Sequence, residues 1–179
     1  MSKKILLVMM CVVLLFSITG CGNTTKTKEQ KEENKKDIVM TCTVNSKPEN
    51  DYEATTTTTE IFTYDNNMIL KEIKIINKEE YSSEERANSQ KNIQEETVNR
   101  ANEIEGIIGT IEVKSNTSFI YSFTYDLEKI NNLEDILGSE ASIYLNYSTH
   151  KFDADKYVDS FIDNNNNELS NGTCTMEQF

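Results

Sequence analysis

The stretch GTIEVKSNTSFIYSFTYDL, Gly109–Leu127, reads as a β-hairpin. On its first arm Ile111 and Val113 alternate with polar residues, and on its second Phe119, Tyr121, Phe123 and Tyr125 alternate strictly. A period of two puts each set on one face of a strand. Four aromatic rings in one row are the expected core of the domain, because each buries a large area when covered. The same row is also a candidate stacking surface, which makes Tyr121 and Tyr125 candidate ligand contacts.

Upstream, ATTTTTEIFTYDNNMILKEIKII, residues 54–76, repeats the pattern. Thr55–Tyr64 is β-branched and aromatic, the turn Asp65, Asn66, Asn67 supplies unusual dihedrals, and Ile69, Ile73 and Ile75 alternate onto one face. The threonine run splits between the two faces of its strand. Between the hairpins, residues 82–104 fit one long polar helix. Ser82 with Glu85 suits a capping box, Ile93, Thr97, Val98, Ala101 and Ile104 form a thin apolar stripe, and Gly106 and Gly109 end it.

Downstream, Leu127–Leu137 reads as a short helix with Asp126 as cap and Gly138 as stop. Residues 139–150 are open between loop and short strand. Asp153 then caps a last helix, with Phe152 and Tyr157 as a hydrophobic staple and Tyr157, Val158, Phe161, Ile162 and Leu169 as its apolar face. Gly172 precedes a final strand around Cys174. The expected fold is α+β: an antiparallel sheet of two hairpins plus N- and C-terminal strands, with one long and one or two short helices packed on it.

The chain begins with Lys3 and Lys4, followed by ILLVMMCVVLLF, residues 5–16. That run is too short for a comfortable span, which needs about 20 apolar residues, and it has the layout of a secretory signal. Ile18, Thr19, Gly20 and Cys21 resemble the lipobox of bacterial lipoproteins. The resemblance implies diacylglyceryl transfer to the Cys21 sulfur and cleavage by signal peptidase II between Gly20 and Cys21. The expected organisation is a signal peptide over 1–20, a lipidated flexible tether over 21–36 and a single extracytoplasmic α+β domain over 37–179. Cys11 falls in the discarded segment.

From Asp37 onward there are 11 basic and 27 acidic residues, a net of −16, whereas residues 22–36 carry +2. A basic tether suits anionic headgroups, and an acidic domain is repelled by them. Such a domain is a poor nucleic-acid binder, because that affinity comes from basic side chains on phosphates. The acidity serves solubility, with a cation or a basic partner as the other reading.

Two cysteines remain, in the matching contexts VMTCTVN (39–45) and NGTCTME (171–177). Both sit in β-branched surroundings at the two ends of the domain. On an oxidising side of a membrane they can form a Cys42–Cys174 disulfide; in a poorly oxidising envelope they stay reduced thiols.

This order of lipobox, Lys/Glu tether, early TCT strand, two hairpins around a polar helix, then helix and late TCT resembles the YehR-like small bacterial lipoproteins. The resemblance implies an α+β domain with an antiparallel sheet and no established molecular activity. Only Cys21 and the Cys42/Cys174 pair carry over, and the chain departs from the pattern in a longer stretch over Ser139–Phe152.

Chemistry is sparse. His150 is the sole histidine, so a Ser–His or Cys–His apparatus would have to use it; it sits in STHKF, which reads as a loop, and a solvated histidine is expected there. One histidine and two paired cysteines make a poor zinc set. Asp163, Asn165 and Asn167 match the first calcium ligands of an EF-hand loop, but Glu168 stands where glycine is needed and Cys174 where the bidentate glutamate is needed. No catalytic residue, metal or cofactor is expected. The expected role is a membrane-anchored, non-catalytic envelope lipoprotein that binds a small ligand through aromatics such as Tyr121, Tyr125 or Tyr144. The alternative is an accessory lipoprotein that contacts another envelope protein through its acidic surface.

Overall fold

The computed structural model describes residues 37–49 and 54–179. The lipobox at Gly20 and Cys21 and the tether lie outside the described residues. In chain order the elements are β1 (Ile38–Ser46), β2 (Thr55–Tyr64), β3 (Leu70–Glu80), α1 (Glu84–Ala101), β4 (Ile107–Ser115), β5 (Ser118–Asp126), α2 (Leu133–Leu137), a 3-10 turn (Ser139–Ile143), β6 (Leu145–Asn146), β7 (Lys151–Phe152), α3 (Ala154–Asn165) and β8 (Ser170–Gln178). Six strands form one sheet in the order β4-β5-β3-β2-β1-β8, and β6 and β7 pair separately. Every pairing is antiparallel. The expected α+β class and its two hairpins with terminal strands are what the structure has.

Alternation decides the two faces. Met40, Cys42, Phe62, Tyr64, Ile73, Ile75 and the row Phe119, Tyr121, Phe123, Tyr125 are all buried on one face, under the helices. The opposite face carries Thr41, Thr43, Thr59, Lys74 and Ser122, which are half-buried by their neighbours. There Thr43 bonds Thr59 at 3.3 Å and Thr110 bonds Ser122 at 2.8 Å. The threonine run does split: Thr57 donates to Asn45 and Thr58, on the inner face, donates to Asn77.

Each of the two longer helices, α1 and α3, sits over a glycine in an edge strand. A Cβ on Gly109 would stand 3.1 Å from the Val98 carbonyl oxygen of α1. One on Gly172 would stand 3.0 Å from the Asn165 Cβ and 3.1 Å from the Phe161 ring of α3. Both glycines therefore lie inside strands, not at the helix end or strand start expected of them. Docking through Val98 also sets the rotation of α1. Its inward line runs through Ala87, Gln94, Val98 and Ala101, and Ile93 and Ile104 are exposed instead of joining the stripe.

Three further expectations are corrected. The N-cap of α1 is Ser83, whose hydroxyl accepts from the Arg86 N–H, and not Ser82. A bulge opposite Thr63 and Tyr64 shifts the register by one, so Leu70 and not Ile69 takes the inward place. The helix expected over Leu127–Leu137 is only α2: Leu127 follows directly on β5, its N–H donating to the Lys71 carbonyl, and Asn132 is the cap. Gly138 does stop it, with φ +75°. Asp153 caps α3 as expected, accepting from the Lys156 N–H, and Leu169 lies beyond the helix in the turn before β8.

Cys42 and Cys174 stand directly opposite each other in the β1–β8 ladder, joined by an S–S bond of 2.00 Å that closes a loop of 132 residues. In the chain-entropy account such a loop contributes roughly 5 kcal/mol. The oxidised chain is expected to have an intact mass lower by two hydrogens than the reduced one, and a melting temperature lowered by several degrees or more on reduction. Free thiols titrating in the native protein would contradict this pairing.

Candidate functional site

At the end of the sheet where Asp37 enters, a cleft of about 430 Å³ opens between α3 and the segment before it. Its construction starts at the β2–β3 turn. The buried Asp65 side chain accepts from the Asn67 N–H at 2.8 Å and the Ile69 N–H at 3.2 Å, which bends the chain through Met68 at φ +63°. The Met68 carbonyl accepts from the Phe152 N–H and the His150 carbonyl from the Leu70 N–H, both at 2.8 Å. These bonds stitch β7 to the start of β3. His150 itself sits at φ +54° in the preceding turn, a conformation that a non-glycine residue takes only when its surroundings impose it.

Phe152, so anchored, forms the floor. Its ring stacks on Phe62 at 5.0 Å and meets Tyr64 at 5.7 Å. The Tyr144 carbonyl accepts from the Asp153 N–H at 2.8 Å, and the Tyr144 ring stands edge-on to Tyr157 at 4.9 Å. Met68 makes one wall, Ile143–Leu145 another, and the first turn of α3, with Asp153 and Asp155, closes the third side. Ile143 is 56% exposed, an apolar lip on an otherwise charged surface.

Beneath the cleft lies Glu60, only 6% exposed, in a rung between Cys42 and Ile75. The Tyr157 hydroxyl donates to its Oε2. Burial pushes the Glu60 pKa up to about 7, against which the Tyr157 bond acts in the lowering direction. Tyr157 packs on Phe62, Tyr144 and Phe152, so this acid lies one side chain away from the walls of the cleft.

The three candidate tyrosines are not brought together. Tyr144 lines the cleft. Tyr125 is 3% exposed in a rung between Ile73 and Ile107 and belongs to the core. Tyr121 lies four residues along the same strand, toward the far end of the sheet, where its hydroxyl donates to Glu79 Oε1 at 3.0 Å while Tyr81 donates to Oε2 at 2.6 Å. Burial first, and the Glu79 carboxylate second, raise the pKa of both hydroxyls, so both stay protonated as donors. Of the calcium-like set, Asn165 donates to the Phe161 carbonyl and Asn167 bridges to Ser170; among the described residues no group of three or more His, Cys, Asp or Glu is placed to hold a metal ion.

Sequence reasoning missed Glu60, Met68, Phe152 and Asp155 as site residues. Glu60 had a signal, being the one charged residue of β2 and in phase with Phe62 and Tyr64. The others are joined only by tertiary pairing.

No family model matches the chain, and no curated protein matches it. Among solved structures it is similar to a protein from Streptococcus pneumoniae TIGR4 determined by NMR, at 15% identity and a TM-score of 0.48, covering 91% of this chain and 99% of the other. No helix among the described residues is long and apolar enough to cross a membrane.

The raised pKa of Glu60 gives stability a definite pH slope. Between the ordinary carboxylate value of 4.5 and about 7 the folded chain holds a proton that the unfolded chain has lost, so stability falls as pH rises through that window. The loss is expected to reach roughly 3 kcal/mol. Glu72 has its pKa raised to about 7 as well, by partial burial and then by Asp126, but it is partly open to water, which screens its charge, so it adds a smaller slope of the same sign. Urea unfolding at a series of pH values checks this: Glu60→Gln, which keeps an acceptor for Tyr157, should flatten most of the slope, and an unchanged slope would contradict the assignment.

Proposed function

We propose that the chain is a membrane-anchored envelope lipoprotein whose folded domain is a non-catalytic ligand-binding module, and that the cleft beside Tyr144 is its binding site. The cleft is the observation that carries this reading. It has an aromatic floor, half-exposed apolar walls at Met68 and Tyr144, and polar groups on one rim, the composition of a site that orients a small ligand. Anchoring rests on the lipobox at Ile18–Cys21 and on the resemblance to YehR-like lipoproteins.

Binding is tested by a thermal-shift panel of sugars, peptides, lipids, amines and divalent metals. A ligand present at about 100 times its Kd should add roughly 2.7 kcal/mol, a rise of several degrees for a domain of this size. Tyr144→Ala should abolish the rise without unfolding the protein, since Tyr144 is only half-buried. A flat panel would count against the module.

Anchoring is tested separately. Cys21→Ser should remove incorporation of labelled palmitate and leave the apolar segment 5–16 uncleaved, seen as a heavier chain, because the thioether needs a thiol. Continued labelling of the variant would refute acylation at Cys21.

A further inference from the structure

The cleft is asymmetric in a way that narrows its ligand. One half is apolar: Phe152 below, Met68 and Tyr144 half-exposed, Ile143 on the lip. The other half carries charge. Its lining holds one basic side chain, Lys151, and two carboxylates, Asp153 and Asp155, all three exposed. Asp153 is already occupied as the cap of α3, accepting from the Lys156 N–H at 3.1 Å. Among the described residues Asp155 has no ion-pair or hydrogen-bond partner. It lines the cleft beside Phe152 and Ala154, and after burial itself its charge is the next cause raising the Tyr64 pKa.

The surrounding field has the same sign. The domain from Asp37 onward carries −16. A cleft on such a surface raises the local concentration of cations and lowers that of anions.

We infer that the cleft takes a hydrophobic cation, with an aromatic or aliphatic body against Met68, Tyr144 and Phe152 and an ammonium group against Asp155. The inference rests on the ligand-binding reading and deepens it. A neutral apolar ligand would use half of the site and leave Asp155 facing its apolar body. An anion would face Asp153, Asp155 and the net field. An ammonium gains a charge-assisted hydrogen bond at Asp155, an acceptor with no partner among the described residues, and its apolar body covers a lip that is otherwise open to water.

The test uses three probes with one body: L-phenylalaninamide, its neutral N-acetyl derivative, and the anion N-acetyl-L-phenylalanine. Each is titrated calorimetrically into the full chain in neutral-lipid nanodiscs, with empty nanodiscs subtracted. The cation is expected to bind at least tenfold more tightly than the neutral probe, to weaken about tenfold in Asp155→Asn, and to weaken further with added salt. Tyr144→Ala should weaken the cation and the neutral probe by similar factors. Equal affinity for all three probes, lost in Tyr144→Ala, would overturn the charge preference and leave the ligand-binding reading standing. Affinity for the cation unchanged in Asp155→Asn would also overturn the preference. Binding by none of the probes would overturn it as well, and the broader reading falls only if the thermal-shift panel is flat too.

Discussion

The bond between Cys42 and Cys174 lies in a rung that runs across the whole sheet: Cys174, Cys42, Glu60, Ile75, Phe123, Gly109. Six strands are thus locked to one another at a single level, with a covalent link at one end. A slip of one residue in any strand would turn its buried residues to solvent. The link removes that freedom at β8, the edge strand with the fewest buried side chains of its own. Because β8 is held, α3 has a fixed surface to dock on. With α3 fixed, Tyr157 reaches Glu60 and the first turn of the helix stands at the cleft.

The two edge strands solve the same packing problem in the same way. Each has one inward glycine, and a helix lies close over it: α1 over Gly109, α3 over Gly172. A larger residue would push the helix off the strand, opening gaps beside Val98 or Phe161. The space between the two helices is filled by the short elements from α2 to β7, whose buried residues Leu133, Leu137, Ala141, Leu145 and Phe152 join the same core cluster. That inserted segment carries most of one wall of the cleft and its floor, so the site is made by the least regular part of the chain.

Much of the sheet was legible in the sequence. Strict alternation at Phe119–Tyr125 and the Asp-Asn-Asn turn fixed two hairpins, and the paired TCT contexts placed the first and last strands. Helix rotation was not legible, because Ile93 looks like a core residue until Gly109 draws Val98 inward. Nor was the short pairing of Lys151–Phe152 with Met68–Leu70, which depends on two residues at positive φ, Met68 and His150, that no local pattern announces. Of the cleft lining the sequence singled out Tyr144 alone; its neighbours there come from the β2–β3 turn, β7 and α3 and share no sequence pattern. Tyr121 and Tyr125 have the same alternating signal as a stacking platform and a core, and burial alone separates the two.

The first and last described residues lie side by side, the Phe179 N–H donating to the Asp37 carbonyl at 3.1 Å. Together with the cystine five rungs along, this gives the domain a mechanical character. A pull applied between its two ends passes through β1 and β8 only as far as Cys42 and Cys174, where the covalent bond takes the load. The 132-residue loop between them, cleft included, is shielded from the force.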